Sequence, residues 1–442
     1  MFRAVVPSKL ARLATSWPVL LCLLSAIVVW RCDDVLVAPE LRAEDGAKVF
    51  AYFYEHREFS ALFRIKAGYL PFLPNVFGYL AVRVPARAMP HVLTIAPALL
   101  TLVTFSVLRA SAYRRYLSSD GSRFLLCLAL AIAPIGNHFT VCHTDYSIWN
   151  ALLLLLLVAI LPMPRSLAWA VPFSLALAAL IWTHPLSIVA LPATLLWLWR
   201  DRGLVQRGLQ GLIVVCQLLH IWLGTRPENA VVSKGSEPVW ARLSELVAVA
   251  SSHLCHGVIR PTVFPWGPET AQFDYIIAAL FVLGLLACVL VPTQRLATRI
   301  LYAWVGYGVA APMLLIALAR AERGLQSTRY YYVSKAFATL ALCLMLSQLI
   351  YSVLQRVAPR FKLPQALATA ATVLLFAGLN HSKGRLADYR ISDPENAQSV
   401  ATFFSELARA EREQGGHCNI RLRCRKKHGD WSFVVDTRKH CQ

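Results

Sequence analysis

The chain has 442 residues, 57% of them hydrophobic and 15% charged, with 44 Lys and Arg against 24 Asp and Glu. A soluble domain carries about 25% charged residues, so composition excludes an ordinary soluble protein, and the long, uniformly apolar runs exclude the alternating strands of a membrane barrel. The net charge of +20 does not imply nucleic acid as a partner, because much of the basic excess lies beside apolar runs, where the positive-inside rule and anionic headgroups account for it.

The first apolar run follows Arg3, Lys9 and Arg12 and resembles a signal peptide. No small-residue cleavage site follows, so it reads as a retained span. Hydropathy predicts about eleven spans, centred near Leu24, Leu99, Leu130, Leu154, Leu177, Pro192, Val215, Leu283, Met313, Leu342 and Leu374. The run holding Leu177 and Pro192 is divided at Thr183-His184-Pro185, since proline breaks a helix. The expected fold is an all-α polytopic membrane protein.

With the N-terminus inside, the inside loops hold Arg109, Arg114, Arg115 and Arg123, then Arg165, Arg200, Arg202, Arg207, Arg295, Arg299, Arg356, Arg360 and Lys362. The short outer loops at 137–146 and around His184 hold no Lys or Arg. That alternation supports both the number of spans and the orientation.

The predicted organisation is a multi-spanning membrane domain over 1–380 and a small outer-side tail over 381–442. Two long outer loops, 31–88 and 225–272, are where outer-face chemistry has room. In the tail, Val400, Phe403, Phe404 and Leu407 have helical spacing, and Cys418 to Cys424 followed by Trp431 to Val435 reads as a hairpin. The tail cysteines have two readings: zinc ligands with His417, His428 and His440, or, on an oxidising face, a Cys418–Cys424 disulfide, which is preferred. Cys32, Cys142 and Cys255 fall near span ends or in loops.

Loop 31–88 is the most informative stretch. Arg42-Ala43-Glu44-Asp45-Gly46 lies just past the first span, and Tyr52-Phe53-Tyr54, Phe59, Phe63 and Phe72 follow with basic residues between them. The aromatic and basic mixture suits short helices lying in the interface. Glu44 or Asp45 can act as a general base towards a hydroxyl or hold a divalent cation. The same acids also suit helix capping. In loop 137–146, His138, His143 and Asp145 are metal-capable types, or simply polar residues at a helix end. Ser252-His253-Leu254-Cys255-His256 lacks the paired spacing of a strong zinc site. No P-loop, GxSxG, HExxH or dinucleotide fingerprint occurs.

Arg42-Ala43-Glu44-Asp45-Gly46, Ala67-Gly68-Tyr69-Leu70 and the many spans resemble polytopic bacterial glycosyltransferases of the GT-C superfamily. The resemblance covers the layout of roughly the first 380 residues. It implies interfacial helices in the first outer loop, a polyprenyl-phosphate sugar donor, and Asp45, or next Glu44, as catalytic base. Arg329-Tyr330 matches an Arg-Tyr pair that such proteins carry before a late span, although Val333-Ser334-Lys335 stands where a proline is usual. The pair also suits an interfacial aromatic belt with a snorkelling Arg.

The resemblance therefore implies an inverting membrane glycosyltransferase, acting on an envelope glycan or lipid acceptor at the outer face of a bacterial inner membrane. The N-terminus would be cytoplasmic and the tail periplasmic. Arg329, Tyr330, Arg42, Lys66, Tyr69, His143, Asp145 and His184 are its expected donor-phosphate and substrate-binding residues. No cofactor is fixed, and a divalent cation remains open. Three other readings compete: an O-antigen polymerase or ligase using Arg242, His253, His256 and Arg260, a lipid-linked glycan transporter or flippase, and a non-catalytic assembly scaffold. No internal repeat supports the transporter.

Overall fold

The computed structural model describes residues 15–39, 45, 49–66, 69–133, 135, 138–201, 203–225, 243–263, 270–290, 294–320, 328–357, 365–381, 394–413, 421–425 and 432–436. Each predicted span centre lies on a helix. In chain order these are Trp17–Val37, Met89–Ser106, Asp120–Ile132, Ser147–Ala159, Leu167–Ile181, Leu191–Arg200, Leu204–Thr225, Ala271–Leu290, Leu296–Arg320, Tyr332–Val357 and Gln365–His381. Among the described residues, five segments are long and apolar enough to cross a membrane: Ala86–Arg115, Leu204–Leu223, Ala271–Leu290, Leu296–Ala317 and Tyr332–Val357. Shorter apolar helices, among them Ser147–Ala159 and Leu167–Ile181, accompany them. The helix Ala271–Leu290 exposes Ile276, Leu280, Leu283 and Leu290, a surface that suits hydrocarbon and not water. The chain is an all-α polytopic membrane protein.

The predicted break occurs where the proline requires it. The helix Leu167–Ile181 ends, the His184 side chain accepts the Leu186 N–H, and Pro185 opens a short 3-10 turn, Pro185–Ala190, before Leu191–Arg200. Loop 31–88 contains the short helices Ala51–Glu55, Phe59–Phe63 and Phe72–Ala81. The tail contains the helix Pro394–Glu413 and a hairpin of β1 (Arg421–Arg425) and β2 (Ser432–Asp436), paired antiparallel with Cys424 opposite Phe433. Cys418 lies outside the described residues, as does the side chain of Cys424.

The chain divides into two compact units. The first comprises 1–28, 105–135 and 235–386. Within it, the helices Ala271–Leu290, Leu296–Arg320, Tyr332–Val357 and Gln365–His381 pack in sequence, and Asp120–Ile132 joins the last of them. Apolar packing alone does not set helix register in lipid, whereas hydrogen bonds between helices do. Here Ser347 Oγ meets Thr369 Oγ1 at 2.8 Å, and Thr369 Oγ1 donates to Ser122 Oγ at 3.0 Å. The fully buried Arg123 donates to the carbonyls of Arg109 (2.9 Å) and Ala110 (2.7 Å) and pairs with Asp120. The terminal nitrogens of the guanidinium are thus held by backbone as well as by its counter-ion.

The second unit comprises 29–104, 136–234 and 387–442. The helix Ser147–Ala159 is buried along almost its whole length. The tail helix places Val400, Phe403, Phe404 and Leu407, the four residues at predicted apolar positions, into a core with Val49, Phe50, Phe53, Tyr54, Met89 and Leu93. Gly78 lets the helix Phe72–Ala81 approach this core, since a Cβ there would lie 2.5 Å from Phe53 and 2.6 Å from Val49. Asn75, buried on the same helix, donates to the carbonyls of Leu62 (3.0 Å) and Arg64 (3.1 Å). This bond fixes the segment that leads into Lys66.

Candidate active site

The turn after the short helix His138–Cys142 builds the site in the second unit. Thr144 Oγ1 donates to the Leu93 carbonyl at 2.6 Å, and Thr101 Oγ1 donates to the Val141 carbonyl at 3.0 Å. The Ser147 N–H reaches the His143 carbonyl at 3.0 Å, and Ser147 Oγ donates to the Thr144 carbonyl at 2.6 Å. These bonds use small hydroxyl residues to close the turn at the start of a buried helix. They fix where His143 and Asp145 sit.

Asp45 comes to this turn from the first loop. It is 2% exposed, with Oδ2 2.7 Å from His143 Nδ1 and Oδ1 accepting the Asp145 N–H at 2.7 Å. His143 is equally buried. With Asp45 ionised, the His143 Nδ1–H donates to it, and both carboxylate oxygens are engaged. A buried carboxylate held by two such bonds is ordered.

Lys66 forms an ion pair with Asp145, and both side chains are mostly buried. The backbones of Lys66 and Tyr69 bridge each other, N–H to carbonyl at 2.8 Å and 3.2 Å. This bridge places the backbones of Lys66 and Tyr69 side by side. Four of the expected residues, Asp45, His143, Asp145 and Lys66, thus form one connected set, with Tyr69 bridged to Lys66 through backbone. Chemically the set offers a proton acceptor beside a cation able to meet a phosphate oxygen.

The expected residues outside the set have different places. Glu44 and Arg42 lie outside the described residues. His184 is buried in the same unit, with its ring 4.5 Å from that of Trp149 and its Nδ1 accepting the Leu186 N–H at 3.0 Å. It is thereby built into the helix break. Arg329 and Tyr330 belong to the first unit, in the 3-10 turn Thr328–Tyr331. Tyr330 is buried, while the Arg329 side chain lies outside the described residues.

Both Asp45 oxygens accept from protein donors, and the positive charge beside Asp145 is Lys66. Among the described residues, no group of three or more His, Cys, Asp or Glu is arranged to hold a metal ion.

Three features were not singled out in the sequence. Cys32 and Cys142 form a disulfide across a separation of 110 residues. Asn75 fastens the segment before Lys66. In the first unit, Asp274 is 1% exposed at the start of a membrane-spanning helix. It pairs with His256 and lies 3.1 Å from Arg260 Nε. Nearby, His253 Nδ1 is 2.8 Å from the Tyr331 hydroxyl, and Lys335 lies over the Tyr331 ring. Burial, followed by the adjacent His256, lowers the pKa of His253. An acid inside an otherwise apolar run was the available signal for Asp274.

No family model and no curated protein matches the chain. Among solved structures, the crystal structure of ArnT from Cupriavidus metallidurans bound to undecaprenyl phosphate is similar to it. The likeness covers 91% of this chain and 78% of that one, at 15% sequence identity and a TM-score of 0.39.

Proposed function

We propose that the chain is a GT-C-type membrane glycosyltransferase that moves a sugar from a polyprenyl-phosphate donor to an envelope glycan or lipid. The observation that carries this reading is the meeting of Asp45 with His143, Asp145 and Lys66. In a single displacement the acceptor oxygen bonds to the anomeric carbon as the carbon–oxygen bond to phosphate breaks, so the centre inverts. Asp45 takes the acceptor proton on a remaining lone pair of its carboxylate, with His143 and the Asp145 N–H holding the group in place. Lys66, released from Asp145, meets the phosphate that leaves. Arg42, from the same loop as Asp45, is proposed as a further donor contact. Tyr69 lies beside Lys66, where a sugar ring can rest against it.

An inner-membrane location with a cytoplasmic N-terminus and a periplasmic tail is supported by the basic inside loops. The disulfide supports it independently. Cys32 and Cys142 lie at positions that this orientation places outside, where thiols oxidise.

The test is Asp45→Asn in cells, read as envelope lipid and glycan mass with membrane protein level as control. Loss of a hexose- or pentose-sized increment at unchanged protein level supports the reading, and an unchanged mass profile overturns it. Glu44→Gln, made separately, distinguishes the two neighbouring acids.

A second reading, a polymerase or ligase centred on the later outer loop, is favoured by the His253, His256, Arg260 and Asp274 cluster. It gains if His256→Ala removes the product while Asp45→Asn does not.

A further inference from the structure

The Cys32–Cys142 disulfide joins the C-terminal part of the helix Trp17–Val37 to the last residue of the helix His138–Cys142. The next residue, His143, holds one Asp45 oxygen, and the Asp145 N–H holds the other. Asp45 itself lies on the stretch of chain that leaves Cys32. A ring therefore closes: along the backbone from Cys32 to Asp45, across the hydrogen bond to His143, and back through Cys142 and the sulfur–sulfur bond. On its other side the turn is held to the helix Met89–Ser106 by the Thr144 and Thr101 hydroxyls. The disulfide adds the covalent tie to the first helix.

We propose that Cys32 and Cys142 are positioning residues for the Asp45–His143 pair, and that an outer-face dithiol–disulfide oxidoreductase must oxidise them before the site is assembled. The proposal rests on the reading of Asp45 given under Proposed function. In the oxidation the two thiols lose two protons and two electrons and form the sulfur–sulfur bond. The oxidoreductase's own disulfide accepts those electrons and becomes a dithiol. The exchange passes through a mixed disulfide with one of the two cysteines. Both sulfurs are almost fully buried in the finished fold, Cys32 at 2% and Cys142 at 1% exposure. Exchange therefore precedes closure of the turn onto Asp45, and a reductant reaches the closed bond slowly.

The experiment uses the full-length protein in its membrane. Thiols are blocked with N-ethylmaleimide under denaturing conditions, and the peptides bearing Cys32 and Cys142 are weighed. Cys127 and Cys343 serve as references, both being free thiols. Cys32 and Cys142 are expected to escape alkylation until a phosphine reductant is added, and their alkylation without reductant overturns the proposal.

A second measurement follows acylation of His143 by diethyl pyrocarbonate, with His253 of the other unit as the local control. His143 is expected to react about tenfold faster in Cys32→Ala/Cys142→Ala, because the ring that limits its opening is broken. Wild-type protein synthesised without the oxidoreductase should behave in the same way, and it does so without a change in sequence that could impair folding. Unchanged His143 reactivity in both preparations overturns the positioning role. This readout needs no transferred sugar. If His143 responds as expected while Asp45→Asn leaves the envelope unaltered, the transferase reading falls and the positioning role stands.

Discussion

Phe50 and Phe404 meet edge to face, with ring centroids 4.9 Å apart and planes 64° to each other. Phe403 meets the same Phe50 ring at 6.1 Å and 90°. Through this contact the tail helix Pro394–Glu413 braces the segment that follows Asp45. Phe404→Ala removes a fully buried ring and should cost about 3–5 kcal/mol of the stability of this packing. Phe404→Leu should cost less, because more of the buried volume remains. Thermal unfolding of the detergent-purified protein measures the difference between them.

Lys66 and Asp145 pair where little water reaches them. Lys66→Met leaves a buried carboxylate without its cation and should destabilise by about 3 kcal/mol. Lys66→Met/Asp145→Asn removes both charges and should recover much of that loss. The four proteins of this double-mutant cycle, compared by denaturant unfolding, give the coupling directly. A zero coupling would show that the two residues act independently.

Burial, followed by the neighbouring His256, makes the pKa of His253 lower in the fold than in the unfolded chain. The unfolded state therefore binds the proton more readily, and the sign is fixed: stability is full above the ordinary histidine range, about 6.5, and falls as pH drops below it. His253→Gln cannot take up that proton, so its melting temperature should depend less on pH between about 7 and 5. Parallel melting curves of the two proteins across that range provide the check.

Gly257 lies against the Tyr331 ring, and a Cβ there would fall 2.4 Å from it. Gly257→Ala should push the tyrosine away from His253 and cost about 1–3 kcal/mol as overpacking. Combining it with Tyr331→Leu, which removes the obstructing ring, should reduce that cost. Unfolding of both variants decides whether the glycine is needed for this close approach.

The apolar helices were legible because each is an apolar run, although only five segments among the described residues are long enough to cross a membrane, and the break at His184 because proline cannot continue a helix. The tail hairpin and its amphipathic helix were legible from periodicity alone. Asp45 was ranked ahead of Glu44 by resemblance alone, since adjacent acids look alike in a sequence. What brings His143, Asp145 and Lys66 to Asp45 is contact between residues far apart in sequence, and no local spacing encodes that. The Cys32–Cys142 pairing was hidden for the same reason, because pairing among eleven cysteines does not follow from their positions. Asp274 was hidden inside an apolar helix that hydropathy averages over.

The aromatic contact between Phe50 and Phe404 also sets an order in time. A ribosome adding about 5–20 residues per second makes Phe404 roughly 20–70 s after Phe50. During that interval the segment behind Asp45 waits without its partner, its aromatic face uncovered. Assembly of the second unit is therefore a post-insertion event, and a nascent chain released before the tail emerges leaves a fully threaded membrane portion with the first loop unbraced.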